Sequence, residues 1–262
     1  TYASHLPVRV QCVYGGVKIN PQMMKLRGGT EILVATPGRL LDLVQQNALK
    51  LQFVDTLVLD EADRMLDMGF IHDIRRIVKQ MPHQRQTMLF SATMSDEIRK
   101  LSHQFMQSPE EIQTTPVNQS AQTVIHKLHP VDKAKKTALL CQILHDKKCT
   151  HALIFTKTKH SANKLVKNLH IQGIESMAIH GDKTQAQRVK ALESFKTGKI
   201  PFLIATDIAS RGIDIQGLDL VINYELPQAA EDYIHRIGRT GRAGRKGLAL
   251  SIVCADEFPN LK

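Results

Sequence analysis

Tryptophan is absent from this chain of 262 residues, and aromatic residues make up only 5% of it. So few rings disfavour a platform that holds nucleic-acid bases by stacking. The four cysteines, Cys12, Cys141, Cys149 and Cys254, form no CxxC pair, and the one close histidine pair is His126/His129. That spacing indicates neither a zinc site nor a disulfide framework, and it fits a reduced, cytoplasmic compartment. No apolar run approaches the ~18 residues a membrane helix needs, so no membrane partner is expected. No repeat recurs at a period of about 20–50 residues. Hydrophobic content of 42% and charged content of 23% exclude collagen-like, low-complexity and wholly disordered classes.

At roughly 100–150 residues per domain, the length suits two compact units. The net charge of +10 is divided unequally between them: residues 1–114 carry 13 basic and 12 acidic side chains, residues 115–262 carry 22 and 13. A basic half points to a polyanion, nucleic acid before membrane. β-rich apolar runs alternate with amphipathic stretches, the pattern of βαβ units around parallel sheets. Strands are expected near Val8–Val13, Glu31–Ala35, Thr56–Asp60, Thr87–Ser91, His151–Phe155, Ser176–Ile179, Phe202–Thr206, Leu220–Tyr224 and Leu248–Val253. Ala162, Leu165, Val166 and Leu169 form one helical stripe, and Ala186, Val189, Leu192 and Phe195 another, each predicted to lie on a sheet. Residues 115–122 lack hydrophobic period and read as a linker, leaving 1–114 and 123–262 as domains.

Leu57-Val58-Leu59-Asp60-Glu61-Ala62-Asp63 is an apolar strand ending in acids. At the carboxyl end of a strand, Asp60 could hold Mg²⁺ through water while Glu61 orients an attacking water. The alternative is that Asp60 and Asp63 cap the following helix. Thr36-Pro37-Gly38 by itself is more often an N-cap with proline behind it, and Ser91-Ala92-Thr93 a strand end. Arg236, Arg239, Arg242 and Arg245 recur every third residue among glycines. Such a run is usually a solvated face or a nonspecific nucleic-acid patch.

Taken in order, Gly15-Gly16, Thr36-Pro37-Gly38-Arg39, Asp60-Glu61-Ala62-Asp63, Ser91-Ala92-Thr93, Leu153-Ile154-Phe155-Thr156, His180-Gly181-Asp182 with Gln185 and Arg188, the run Ala205 to Asp214, and His235 to Arg242 cover the whole chain. In this order they resemble the DEAD-box RNA helicases. The stretches 20–29 and 67–76 look closest to the bacterial RhlE type. The resemblance implies an α/β fold of two RecA-like domains, parallel sheets flanked by helices, with the first domain incomplete. It implies ATP and Mg²⁺ as cofactors, with Asp60 on the metal, Asp60, Asp63, Gly212 and Asp214 on the nucleotide, and Glu61 as general base. Ser91, Thr93 and His235 couple the domains, and Arg239 and Arg242 act on the γ-phosphate as arginine fingers, whose planar guanidinium forks two bonds onto phosphate oxygens. RNA is the implied partner. It meets Gly16, Thr36 and Arg39 on the first domain and Thr156, Gln185, Arg188, Thr206 and Arg211 on the second, through backbone contacts that position a strand without reading its sequence.

One motif is missing. The only Gly-Lys pair, Gly198-Lys199, has Glu193 five residues before it and Ile200 after, so there is no GxxxxGK[ST] phosphate loop. The resemblance puts that loop and the adenine-reading Q motif before Thr1. A chain that opens on Thr1-Tyr2 and closes on Leu261-Lys262 then reads as a fragment at both ends. The expected function is an ATP-dependent RNA helicase whose isolated fragment does not turn over ATP. A non-catalytic RNA-binding or scaffold polypeptide is the alternative.

Overall fold

In the computed structural model, residues 3, 5–113, 124–146, 149–210, 215, 217–241 and 247–261 are described. The chain divides into two compact units, Thr1–Val117 and Asn118–Lys262. The stretch read as a linker lies outside the described residues.

In the first unit, β1 (Val10–Val13), α1 (Asn20–Leu26), β2 (Ile32–Ala35), α2 (Pro37–Gln45), β3 (Thr56–Leu59), α3 (Ala62–Asp67), α4 (Ile71–Val78), β4 (Gln86–Leu89) and α5 (Asp96–Phe105) follow one another. β1 pairs with β2 and β3 with β4, both in parallel, as two separate pairs. Alternation along the strands sends Val13 and Leu33 into a cluster with Leu26 and Leu43, while Leu57, Leu59 and Leu89 pack with Ile71, Ile74, Leu101 and Phe105. The opposite faces leave Val10, Ile32, Val34 and Val58 between 44% and 57% exposed.

The second unit contains β5 (Val124–Pro130), α6 (Lys136–His145), β6 (Ala152–Phe155), α7 (Lys159–Ile171), β7 (Ser176–Ile179), α8 (Gln185–Lys196), β8 (Phe202–Ala205), α9 (Asp207–Ser210), β9 (Leu220–Asn223), α10 (Ala230–Ile237) and β10 (Gly247–Val253). Its sheet is six-stranded and wholly parallel, in the order β5-β10-β9-β6-β8-β7. β6, β8 and β9 are buried at every position, as expected of a parallel sheet covered on both faces. Ala152, Ile154, Ile204 and Ile222 meet Leu140 and Leu144 of α6 and Leu165 and Leu169 of α7; the intervening Leu153, Phe155, Leu203 and Val221 meet Ala191 and Phe195 of α8.

Two expectations need correction. Ala186, Val189, Leu192 and Phe195 advance by threes and so wind around the helix rather than sharing a face; Val189 is 43% exposed. The buried face of α8 instead holds Ala191 and Phe195, and Arg188 lies on it one turn earlier. The edge strand β5, absent from the expected strands, pairs only with β10. Its residues VIHKLHP are mostly exposed and end in proline, so hydrogen bonding rather than apolar alternation defines it.

The second unit's C-terminal segment is pinned by a buried ion pair. Lys136 Nζ donates to Glu257 Oε2 at 2.6 Å, and Glu257 also accepts the N–H groups of Leu226 and Cys254. Burial alone would raise the Glu257 carboxyl, but the Lys136 ammonium and the two N–H donors outweigh it and hold it below the ordinary carboxylate range. A carboxyl depressed on folding stabilises above its unfolded pKa of about 4.3 and loses that contribution as pH falls through the lower folded value. Removing one partner of a buried pair costs about 3–5 kcal/mol. Lys136→Met is therefore expected to cost that much in urea unfolding at neutral pH, and Glu257→Gln to flatten the acid limb of the stability profile; an unchanged acid limb contradicts this account.

Candidate functional site

At the carboxyl ends of β1 and β2, two loops are tied together. Gly16 has φ +78°, a conformation open to glycine without strain, and Gln22 brackets the turn, accepting from Tyr14 N and donating to Tyr14 O. Thr36 accepts the first helical bond of α2, from Leu40 N, and Pro37 fills the first helical position. Arg39 reaches back to donate to Val17 O at 2.8 Å. Gly16, Thr36 and Arg39 are thus gathered at one end of the β1–β2 pair. Arg39 Nε and Nη1 are buried with no hydrogen-bond partner.

Asp60 follows β3 and is exposed, its carboxylate accepting Glu61 N. Glu61 has φ 52° and ψ 52°, left-handed backbone that a residue with a side chain adopts only under local strain. Glu61 Oε2 accepts from Arg64 Nη1 at 2.7 Å. The N-cap residue Glu61 makes no side-chain cap bond, but Asp60 Oδ1 accepts Glu61 N and Asp63 Oδ1 accepts Arg64 N, so the two carboxylates do answer free N–H groups in the first turn of α3, as the capping alternative expects. Asp63 is 9% exposed; its N–H donates to Ser91 Oγ at 3.3 Å and its Oδ2 accepts from Thr93 Oγ1 at 3.4 Å. Parallel pairing of β3 with β4 brings the acid run beside Ser91-Ala92-Thr93, and the ladder continues past the strands through Phe90 N to Leu59 O and Ala62 N to Phe90 O. Among the described residues no group of three or more histidine, cysteine or acidic side chains is placed to hold a metal ion. A lone exposed carboxylate such as Asp60 suits Mg²⁺, which keeps most of its waters.

In the second unit the sequence-predicted residues collect at the carboxyl ends of β6, β7 and β8. Thr156 is fully buried, and Thr206 is 8% exposed. His180, 1% exposed, bonds Asn163 Oδ1 through Nε2; burial, with Lys183 nearby, lowers its pKa. Gln185 opens α8 behind a capping box made by Thr184 and Gln187. Arg188 Nη1 leans on Gln185 Oε1 at 3.5 Å, and its Nε is buried without a partner. His235 lies in α10 and Arg239 two residues beyond its end. Arg211, Gly212, Asp214, Arg242 and Arg245 lie outside the described residues.

The comparisons agree across the chain. A family profile described as "DEAD/DEAH box helicase" matches residues 1–101, and one described as "Helicase conserved C-terminal domain" matches 135–244. "ATP-dependent RNA helicase CshA" of Listeria monocytogenes is 45% identical over the whole chain, which covers 50% of that protein. The crystal structure of a DEAD box protein from Methanococcus jannaschii is 42% identical, with a TM-score of 0.52, covering 97% of this chain and 68% of that one. The chain belongs to the DEAD-box RNA helicase family. Saccharomyces cerevisiae Dbp5 bound to RNA and ADP BeF3 has a TM-score of 0.80 at 31% identity, covering 97% and 73%. The chain spans about half the length of the curated relatives it matches.

Within this DEAD-box chain, Arg236 is the residue that sequence reasoning missed. It is 1% exposed, not solvated as an arginine run suggests. Its guanidinium forks onto Asp207 at 2.6 and 2.8 Å, donates to Asn223 Oδ1 at 3.0 Å and to Glu225 O at 2.7 Å, and lies 5.0 Å from the Phe155 ring centroid. One signal was readable: Arg236 lies between Ile234 and Ile237 in a short segment closed by Gly238. The acceptors, far apart in sequence, were not. Arg236→Met strands a carboxylate and two further acceptors, so a loss of about 3–5 kcal/mol is expected in urea unfolding. Arg236→Lys keeps the charge but not the fork, and should recover only part of it; full recovery would show that the fork is dispensable.

Proposed function

We propose that the whole protein is a cytoplasmic ATP-dependent RNA helicase, of the bacterial RhlE type by its stretches 20–29 and 67–76, that grips RNA and unwinds short duplexes locally, and that this chain carries the RNA grip. The observation that supports this reading best is that two arginines expected to contact RNA, Arg39 and Arg188, are under-satisfied; Arg85, outside that set, is a third arginine with a buried Nε lacking a hydrogen bond. Buried polar groups in folded proteins are nearly always hydrogen-bonded, yet Arg39 Nη1 and Arg188 Nε have no hydrogen-bond partner, and Arg39 Nε has only the Asp42 carboxylate at 3.8 Å. Each stands among small or backbone groups at a strand's carboxyl end, Gly16 and Thr36 in one unit, Gln185 in the other. A phosphate oxygen is the acceptor that a forked, permanently charged donor suits best. With Thr206 and Arg211 added, such contacts hold sugar and phosphate and leave the bases unread; Thr156 is fully buried with its hydroxyl donating to Thr158 O, so its part would be beneath that surface rather than in contact with the strand.

The nucleotide roles are distributed likewise. Asp60 would face Mg²⁺ through water, Glu61 would act as general base, and Asp63, Gly212 and Asp214 would contribute to nucleotide binding. Ser91, Thr93 and His235 would couple the units, with Arg239 and Arg242 on the transferring phosphoryl. Without a GxxxxGK[ST] loop these residues do not make a phosphate cradle, so no hydrolytic step is assigned to this chain by itself.

Two outcomes follow. RNA titrations of the chain should show affinity that falls steeply with salt and varies little among unrelated sequences, and Arg39→Ala or Arg188→Ala should each weaken every RNA alike and lower the salt slope by about 0.7, the value of one single-strand phosphate contact. Strong preference for one sequence would refute backbone gripping. Phosphate release with saturating RNA and Mg²⁺ should stay at background; turnover abolished by Glu61→Gln would mean that another loop holds the phosphates.

A further inference from the structure

Between residues 133 and 170 the chain has nine lysines and a single acid, Asp146. Lys147 and Lys148 lie outside the described residues, and folding sorts the other seven into two sets. Lys133 pairs with Asp256, Lys135 with Asp132, Lys136 with Glu257 and Lys159 with Asp182. Lys157, Lys164 and Lys167 are exposed and form no ion pair among the described residues. Lys164 and Lys167 stand three apart on the outer side of α7, neighbours on a helix surface at about 5–6 Å between Cβ atoms. α7 carries no acid at all.

At the foot of α7 lies a cleft of about 520 Å³, lined among others by Lys133, Lys157, Ser161, Lys164 and Asn168. It opens beside the carboxyl ends of β6 and β9, where the strand order reverses and open α/β sheets place their ligands. Its acids are already engaged. Glu225 accepts Lys157 N at 2.6 Å and Ser161 Oγ at 3.0 Å, Glu257 accepts Lys136, and Asp256 accepts Lys133. Asp256 and Glu257 are matched by Lys133 and Lys136, while Glu225 is held by neutral donors and keeps its charge; against it stand Lys157 and Lys164, which form no ion pair among the described residues, so the lining retains an excess of positive charge.

We propose that the Lys164–Lys167 ridge and this cleft form a second RNA contact surface, which takes backbone phosphates of a duplex arm continuing past the nucleotides held near Thr156. The proposal rests on the RNA-binding reading and extends it to a face of the second unit opposite α8. Continuity supports it, since Thr156 and Lys157 are adjacent at the end of β6. Chemistry supports it too. Protein interfaces are depleted in lysine and built around buried aromatics, whereas this ridge is lysine, histidine and amide, with Ile171 at its far end as the one large exposed apolar side chain of α7. Compact ammonium groups on flexible stems suit phosphates and give no sequence reading.

The test uses the chain as it is, with two RNAs: a short oligouridine and a hairpin carrying the same oligouridine as a single-stranded tail. Lys164→Gln/Lys167→Gln should bind the oligouridine as the parent does. On the tailed hairpin it should bind several-fold more weakly, with a salt slope lower by about 2, at ~0.9 per duplex phosphate. Thermal melting checks that the variant is folded. Arg188→Ala, by contrast, should weaken both RNAs. An unchanged slope on the tailed hairpin, with Arg188→Ala still impaired, overturns the ridge alone and leaves the grip standing, and the ridge would then suit an acidic protein surface instead. Failure of the parent chain to bind either RNA overturns both.

Discussion

A single buried guanidinium organises the working end of the second unit. Arg236 arrives on α10 and finds acceptors from three other places: Asp207 at the start of α9, Asn223 at the end of β9, and Glu225 O just beyond it. Phe155 at the end of β6 lies against it. Burying that charge is costly unless every donor is answered, and the bidentate carboxylate with two oxygens answers it. The consequence is mutual constraint. Thr206 precedes Asp207, Thr156 follows Phe155, and Arg239 follows Arg236, so residues proposed for RNA and for nucleotide share one rigid anchor.

Around that anchor the sheet supplies rigidity of a different kind. Strands buried on both faces cannot shift without opening two apolar clusters at once, so the loops at their carboxyl ends are carried by a stiff platform. A grip on RNA backbone needs this. Its contacts are few, small and polar, and their value depends on donors already in place before the strand arrives. In the first unit the anchoring is local: Gln22 ties the glycine turn to α1 and Arg39 ties it to α2, and Asp63 is tied to Ser91 and Thr93 across the β3–β4 pair. Glu61 sits between these in strained backbone. Strain of that sort persists where neighbours over-determine it; the β3–β4 ladder on one side and the first turn of α3 on the other do so here.

Much of this was legible in the amino-acid order alone. Apolar runs marked nine strands: β6, β8 and β9 are apolar throughout because both their faces are buried, whereas the strands of the first unit bury one face only, and the alternation with helices marked parallel sheets. The family resemblance rested on short polar words at strand ends, which chain order alone makes visible. The limits were equally physical. β5 went unmarked because an edge strand is defined by the bonds it makes to β10, which no local pattern encodes. The α8 stripe was misplaced because spacing by threes drifts around a helix of 3.6 residues per turn, and only the packed sheet reveals which face is inside. Arg236 resembled its exposed neighbours in sequence; its burial was decided by acceptors up to 29 residues away. The pairing of acids with some lysines and not others was decided in the same way, since a charge is neutralised by what folding brings beside it rather than by what precedes it in the chain.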